Sequence, residues 1–178
     1  TTTKQEVVDI YNLPDKHYTF QEGGATFIVL DQQFIPDGSS YDSGVHYIPG
    51  SIPIDQLEWI EKEIKKAPNA VVILTHQPIF SVTSEEGPGG VIEMHNGQLF
   101  QDILKKYNKK VKAVLSGHRQ PPEEEMIREF DGVKHLILPS AIFKDTRLSF
   151  GIVEIDTASE KINFDYFADE NQKEIEQK

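Results

Sequence analysis

The sequence predicts an α/β fold with α+β character toward its C-terminus. Residues 71–74, and residues 111–115 apart from Lys112, are short runs of apolar and β-branched residues, which are typical of parallel strands buried on both faces. A stretch of helical periodicity lies between these two runs, and a series of strands follows residue 133. Strands that alternate with helices favour a parallel sheet covered by those helices.

The N-terminal part of the chain predicts a β-hairpin. Residues 1–16 are polar with little periodicity, and no element is predicted there. Residues 18–20 and 25–30 have strand composition and flank Gly23-Gly24, a pair that is typical of a tight hairpin turn. Asp31 ends the second strand of this hairpin.

A long loop and a helix follow. Residues 32–53 are rich in Gly, Pro, Ser and Asp, and loops of this length in a compact domain are usually functional. Pro53 suits the first turn of a helix, and Pro68 stops a helix after Lys66. The apolar face of this helix is formed by Leu57, Ile60 and Ile64.

The second half of the chain repeats the strand, loop and helix order. The predicted strand 71–74 is followed by a second long loop, residues 79–95, and Asn96 is then a plausible N-cap. The apolar stripe of the next helix is formed by Leu99, Phe100, Ile103, Leu104 and Tyr107. The predicted strand 111–115 comes directly after this helix.

The C-terminal part predicts strands without helices between them. Residues 133–138 read as a strand, and residues 150–155 with residues 161–166 read as a hairpin. Residues 169–178 form a charged tail. By its length the whole chain, residues 1–178, is expected to be a single domain.

Composition limits the classes of partner. The net charge is −11, so nucleic acid is not expected as a partner because a polyanion would be repelled. No stretch approaches the ~20 apolar residues of a membrane span. The chain has no cysteine, which removes disulfides and thiolate metal sites. Neither a Gly-x-Ser-x-Gly elbow nor a P-loop occurs, which argues against those two enzyme classes.

Two histidines follow the two apolar runs. His76 comes shortly after one run and His118 shortly after the other, and open parallel sheets bind ligands beyond the carboxyl ends of their strands. We therefore expect the two imidazoles to lie side by side, as candidate metal ligands. Gly117 is expected to permit the turn that directs His118 to the sheet edge. The alternative is that both histidines are structural and point into different environments.

These segments carry a family resemblance. Leu74-Thr75-His76-Gln77-Pro78 and Ser116-Gly117-His118-Arg119-Gln120 resemble the last two signatures of the calcineurin-like metallophosphoesterases. With the strands and helix described above, the resemblance covers about residues 17–155 in the order of the family. It implies a four-layer αββα sandwich, of which this chain supplies about half. It also implies that His76 and His118 bind the same one of two metal ions.

The chain departs from the family in two ways. The three earlier signatures, Asp-x-His, Gly-Asp-x-x-Asp and Gly-Asn-His-Asp/Glu, normally precede the hairpin in the family and are interpreted as absent here. Gln120 stands where the second histidine of Gly-His-x-His is expected, and an amide oxygen is a poorer ligand for transition metals. Three roles are open for Gln120. It could be a weak ligand to the second metal ion, it could donate a hydrogen bond to a metal ligand, or its presence could indicate that this metal ion was lost. The chain thus resembles the C-terminal half of the domain. Because it starts at Thr1, within the family's pattern, we expect it to be processed or cut from a longer protein.

The resemblance implies a function. The expected activity is hydrolysis of phosphate mono- or diesters by a metal-activated water, with a small-molecule phosphoester as substrate and Mn, Fe, Zn or Mg as cofactors. The implied partner is either a missing N-terminal half or a second copy in a homodimer. The alternative is a non-catalytic metallophosphoesterase-like domain that binds a ligand or a partner protein.

Four further residues are candidates for the site. His46 and Tyr47 lie in the first long loop, near where substrate would enter, although a solvated loop is the simpler interpretation. Asn96 is a candidate substrate contact as well as a helix cap. Asp31 is a candidate for support of the metal site from the second shell, although Asp is common in turns.

Overall fold

The computed structural model of the protein describes residues 3–40, 50–79, 94–118, 126–138, 149–156 and 161–168. The helices of these segments are α1 (Lys4–Tyr11), α2 (Ile54–Lys66) and α3 (Gly97–Lys106). The strands are β1 (Tyr18–Glu22), β2 (Ala25–Val29), β3 (Ala70–Leu74), β4 (Val111–Ser116), β5 (Ile127–Phe130), β6 (Val133–Ile137), β7 (Ser149–Asp156) and β8 (Lys161–Ala168). No helix within these segments is long and apolar enough to cross a membrane.

The two predicted helices are confirmed, and one helix was not predicted. Helix α2 starts after Pro53 and ends at Lys66, and its apolar face is buried in the core. Helix α1 lies in the stretch for which no element was predicted. A capping box starts it: the Thr3 side chain accepts a hydrogen bond from the Glu6 amide, while the Glu6 carboxylate accepts one from the Thr3 amide.

The first six strands form one mixed sheet in the order β1-β2-β3-β4-β6-β5. Strands β2, β3, β4 and β6 are parallel to one another, and β1 and β5 pair antiparallel at the two edges. Strand β5 was not predicted. It pairs with β6 through Asp131-Gly132, both in the left-handed region with φ of 50° and 81°, as a two-residue hairpin turn requires.

The two faces of the sheet are covered by different elements. Val71 and Ile73 of β3 point toward α2 and α3, where they join the larger core cluster. Val72 points to the other face, where it packs in a second cluster with Phe164 of the β7–β8 hairpin. The hairpin therefore covers part of the sheet face opposite α2 and α3. The predicted α/β class with α+β character at the C-terminus is confirmed, with described layers of helices, sheet and hairpin.

Candidate metal centre

The edge formed by the carboxyl ends of β3 and β4 holds the two histidines. The two strands remain hydrogen-bonded to each other up to this edge, where the amide of Thr75 donates to the carbonyl of Leu115 at 2.9 Å. One residue further on, the amide of Gly117 donates to the carbonyl of His76 at 3.0 Å. The two turns are thus hydrogen-bonded to each other, and this fixes the backbone that carries both imidazoles.

The imidazoles of His76 and His118 meet. His76 Nε2 and His118 Nδ1 are 3.2 Å apart, and the ring planes are inclined at 73°. The predicted convergence is confirmed, and the alternative in which the rings point into different environments is wrong. Both side chains are exposed at the surface, so a ligand from solvent can reach them.

The backbone of the second turn differs from the expectation. Gly117 does not carry the unusual conformation; His118 does, with φ of 67° in the left-handed region. A Cβ on Gly117 would meet only ordinary contacts, at 3.7 Å from the carbonyl oxygen of Leu138. A non-glycine residue in this region costs backbone energy, and such residues concentrate at functional sites. The conformation turns the His118 side chain back toward His76.

The electrostatics favour the neutral form of His76. Desolvation by the surrounding protein lowers the pKa of this imidazole below its usual value. A neutral imidazole offers a lone pair either to a metal ion or to an N–H of the other ring. Without a metal, the 3.2 Å separation suits an N–H···N hydrogen bond between the two rings.

The geometry also fits one shared cation. Two metal–nitrogen bonds of about 2.1 Å place their nitrogens about 3.0–3.4 Å apart at octahedral to tetrahedral angles. The observed 3.2 Å lies within that span. Within the described segments, however, no three or more His, Cys, Asp or Glu side chains group to hold a metal. Two histidines come together in this part of the chain, whereas a metal site usually has three or four protein ligands.

Three of the candidate residues lie outside the described residues. They are Gln120, which was expected near the metal, and His46 and Tyr47, which were expected near the substrate. Their roles stay predictions.

Asn96 occupies the N-cap position of α3, but its side chain does not cap the helix. Its amide oxygen accepts a hydrogen bond from the Ile52 amide at 3.1 Å, and its amide nitrogen donates to the Ile52 carbonyl. The Asn96 side chain thus pairs with both backbone groups of Ile52, two residues before α2, as a neighbouring strand would. The substrate contact suggested for Asn96 stays a prediction.

Asp31 holds α1 against the sheet. Its carboxylate receives the Lys4 ammonium at 2.7 and 2.9 Å and the Gln33 amide at 3.1 Å. Lys4 and Asp31 also line a cavity of about 280 Å³ beneath α1, together with Val7, Val8, Leu13, Lys16 and Gln33. A second-shell role for Asp31 at the metal stays a prediction.

One segment matches an early family signature by its letters. Asp15-Lys16-His17 reads Asp-x-His, so the expectation that this signature is absent is wrong for the letters of the sequence. The segment precedes β1 instead of following a buried strand. The His17 ring packs edge-on against Trp59 of α2, with centroids 4.6 Å apart. This contact gives His17 a packing role.

Sequence reasoning missed a buried polar group beside His76. We call Gln32, Gly50 and Gln77 the amide clasp. The Gln77 side-chain oxygen accepts a hydrogen bond from the Gly50 amide at 2.8 Å, and the Gln77 amide donates to the Gln32 side-chain oxygen at 2.9 Å. Both glutamine side chains are buried, which is unusual for this residue type. The clasp brings Gln32 and Gly50, from the two ends of the first long loop, to the histidine edge.

Comparisons with known proteins give a likeness of structure and none of sequence family. No protein-family model matches the chain, and no curated protein matches it. Among solved structures, the purple acid phosphatase PPD1 from yellow lupin (Lupinus luteus) seeds is similar, with a TM-score of 0.48 and 18% sequence identity. The likeness covers 90% of this chain and 31% of the phosphatase chain, so the chain spans under a third of that protein's length.

Proposed function

We propose that this chain is part of a metal-dependent phosphoesterase that hydrolyses phosphate mono- or diesters. The observation that carries the proposal is the 3.2 Å approach of His76 Nε2 and His118 Nδ1 at the carboxyl edge of two parallel strands. The segments that present these imidazoles are the ones that resemble the last two signatures of the calcineurin-like metallophosphoesterases. Two neutral nitrogen ligands at that edge suit Zn, Mn or Fe better than Mg.

The two histidines would hold one divalent cation. When bound, such a cation polarises a phosphoryl oxygen and lowers the pKa of a coordinated water. The protein's own contribution is to bring the two ring nitrogens to 3.2 Å from each other. Desolvation lowers the pKa of His76, and the hydrogen bond between Gly117 and His76 fixes the relative position of the turns.

We expect the 178 residues alone to be at most a feeble phosphoesterase. Two neutral ligands give a dication no charge compensation, and a bridging carboxylate and a leaving-group acid are needed as well. We propose that these groups come from further residues of the same protein or from a partner subunit. Gln120 would be at best a weak ligand to the second cation.

Hydrolysis of an activated aryl phosphodiester with added Mn tests this proposal. The assay compares the 178-residue chain, the longest chain that its gene encodes, and the His118→Ala variant of each. We expect turnover by the longer form only, and loss of that turnover on His118→Ala. Turnover of the longer form that survives His118→Ala would contradict the proposed role of the histidine pair. Full turnover by the 178-residue chain would contradict the expectation that its site is incomplete.

A second candidate function is a non-catalytic domain that binds a ligand or a partner protein. It is favoured by the finding that the described segments group no third His, Cys, Asp or Glu with the two histidines. Metal content separates the two candidates. A catalytic site is expected to hold two cations per complete protein, whereas a domain that has lost catalysis is expected to hold one or none.

A further inference from the structure

The residue after His76 is held from two sides. The Gln77 side chain is 8% exposed, and its oxygen accepts the hydrogen bond from the Gly50 amide. Its own amide donates to the side-chain oxygen of Gln32, which is 1% exposed. These bonds tie position 77 to residues 27 and 45 positions away in the sequence. The bonds are buried, so water competes weakly for the groups that make them.

Gly50 is required at this point by close approach. A Cβ built on Gly50 would collide with the Gln77 side-chain oxygen and would lie 2.8 Å from the Gln32 carbonyl oxygen. The backbone of Gly50 is not in the left-handed region, so conformational freedom does not explain the glycine. Any side chain here would push Gln77 away from its present position.

The clasp also fixes the described ends of both long loops. The carbonyl of Gly50 accepts a hydrogen bond from the His95 amide at 3.1 Å, and the Met94 amide donates to the Ile79 carbonyl at 3.2 Å. Gln77 therefore sits where both loops rejoin the sheet edge. On the other side of His76, the hydrogen bond from Gly117 to the His76 carbonyl ties the turn to β4.

We propose that Gln77 is a positioning residue that holds His76 in register with His118, with Gly50 and Gln32 as its partners in the clasp. This inference deepens the proposed function and rests on it, since His76 is taken there as a metal ligand. His118 follows Gly117, whose amide donates to the His76 carbonyl, so the imidazole separation depends on where the His76 turn is held. A shift of that turn by an ångström would take the two nitrogens out of chelating range.

Two substitutions of Gln77 separate positioning from simple loss of polarity. Gln77→Met keeps the length of the side chain and removes the acceptor for the Gly50 amide. Gln77→Glu keeps that acceptor, so it is the rescue variant. Gln98→Met is the matched control, because Gln98 is an exposed glutamine on α3. Gln32→Met removes the other acceptor of the clasp, so the proposal stays testable if Gln77→Met does not fold.

The first measurement needs no metal. Nuclear Overhauser effects between the ring protons of His76 and His118 report their proximity in each variant. We expect the cross-peaks in wild type, Gln77→Glu and Gln98→Met, and their loss in Gln77→Met and Gln32→Met. Cross-peaks of wild-type intensity in a folded Gln77→Met or Gln32→Met would overturn the inference.

The second measurement is the affinity for Co²⁺, determined from the visible absorption of the bound ion. We expect Gln77→Met to weaken it by about 10–100-fold, as for partners that orient a metal-bound histidine, and Gln77→Glu to restore most of it. Absence of Co²⁺ binding in wild type would contradict the proposed function, while the ring-proton measurement would still decide the role of Gln77. Wild-type Co²⁺ affinity in Gln77→Met would overturn the inference.

Discussion

Acidification from pH 7 to pH 5 is expected to destabilise the wild-type protein by about 2 kcal/mol more than it destabilises a His135→Leu variant. His135 lies on β6, is 3% exposed and packs its ring edge-on to Phe130 at 5.7 Å. Burial lowers the pKa of His135 to about 3. The folded protein therefore keeps this imidazole neutral at pH values where the unfolded chain binds a proton.

The sign of the effect follows from that difference. Below the usual histidine pKa of about 6.5, the unfolded state binds one proton more than the folded state, so stability falls as pH falls. Each pH unit costs about 1.36 kcal/mol until the folded-state pKa is reached, and 1.5 units lie between pH 6.5 and pH 5. Leucine at position 135 removes the titrating group and with it this part of the loss.

Urea unfolding at pH 8, 7 and 5 measures the effect on both proteins. Between pH 8 and pH 7 the two should change by nearly the same amount, because His135 remains mostly unprotonated even in the unfolded chain. Parallel losses of unfolding free energy from pH 7 to pH 5 would contradict the assignment of His135 as a buried neutral imidazole.

Alanine at either position 76 or position 118 is expected to weaken Zn²⁺ affinity by at least about 100-fold, since changes in the residues that merely orient a metal-bound histidine cost 10–100-fold. The losses of Zn²⁺ binding free energy caused by the two substitutions should not be additive. Once one imidazole of the 3.2 Å pair is gone, the other is a single exposed ligand, and its removal should cost little more.

Calorimetric titration of the two single variants and the double variant tests this expectation. His95→Ala is the control, because His95 is exposed and its structural contact is made by the backbone amide. Additive losses in the double variant would mean that the two histidines bind metal independently, which would contradict a shared cation.

The elements with strong periodicity could be predicted from sequence. The buried runs of β3 and β4 and the amphipathic α2 have patterns that tertiary packing reinforces, and their order placed His76 and His118 at one sheet edge. Helix α1 was missed because none of its residues is buried, so it has no core-facing stripe; its only signal was the capping box at Thr3 and Glu6. Strand β5 was missed although Asp131-Gly132 is a hairpin signal.

The geometry of the site could be predicted only in part. Convergence of the imidazoles followed from strand order. The left-handed conformation of His118 was not predicted, because the preceding glycine was the more obvious residue for an unusual backbone. The amide clasp had no signal at all. Gln77 meets Gln32 and Gly50 across 45 and 27 residues, and no periodicity links positions that only the finished fold brings together.

Anomalous diffraction from crystals grown with Zn²⁺ is the most direct test of the shared metal site. We expect one anomalous peak at bonding distance, about 2.1 Å, from both His76 Nε2 and His118 Nδ1. We also expect the peak to disappear in His118→Ala crystals grown in the same way. A pair of imidazoles that stays hydrogen-bonded to each other, with zinc absent or bound to only one ring, would contradict a shared metal site.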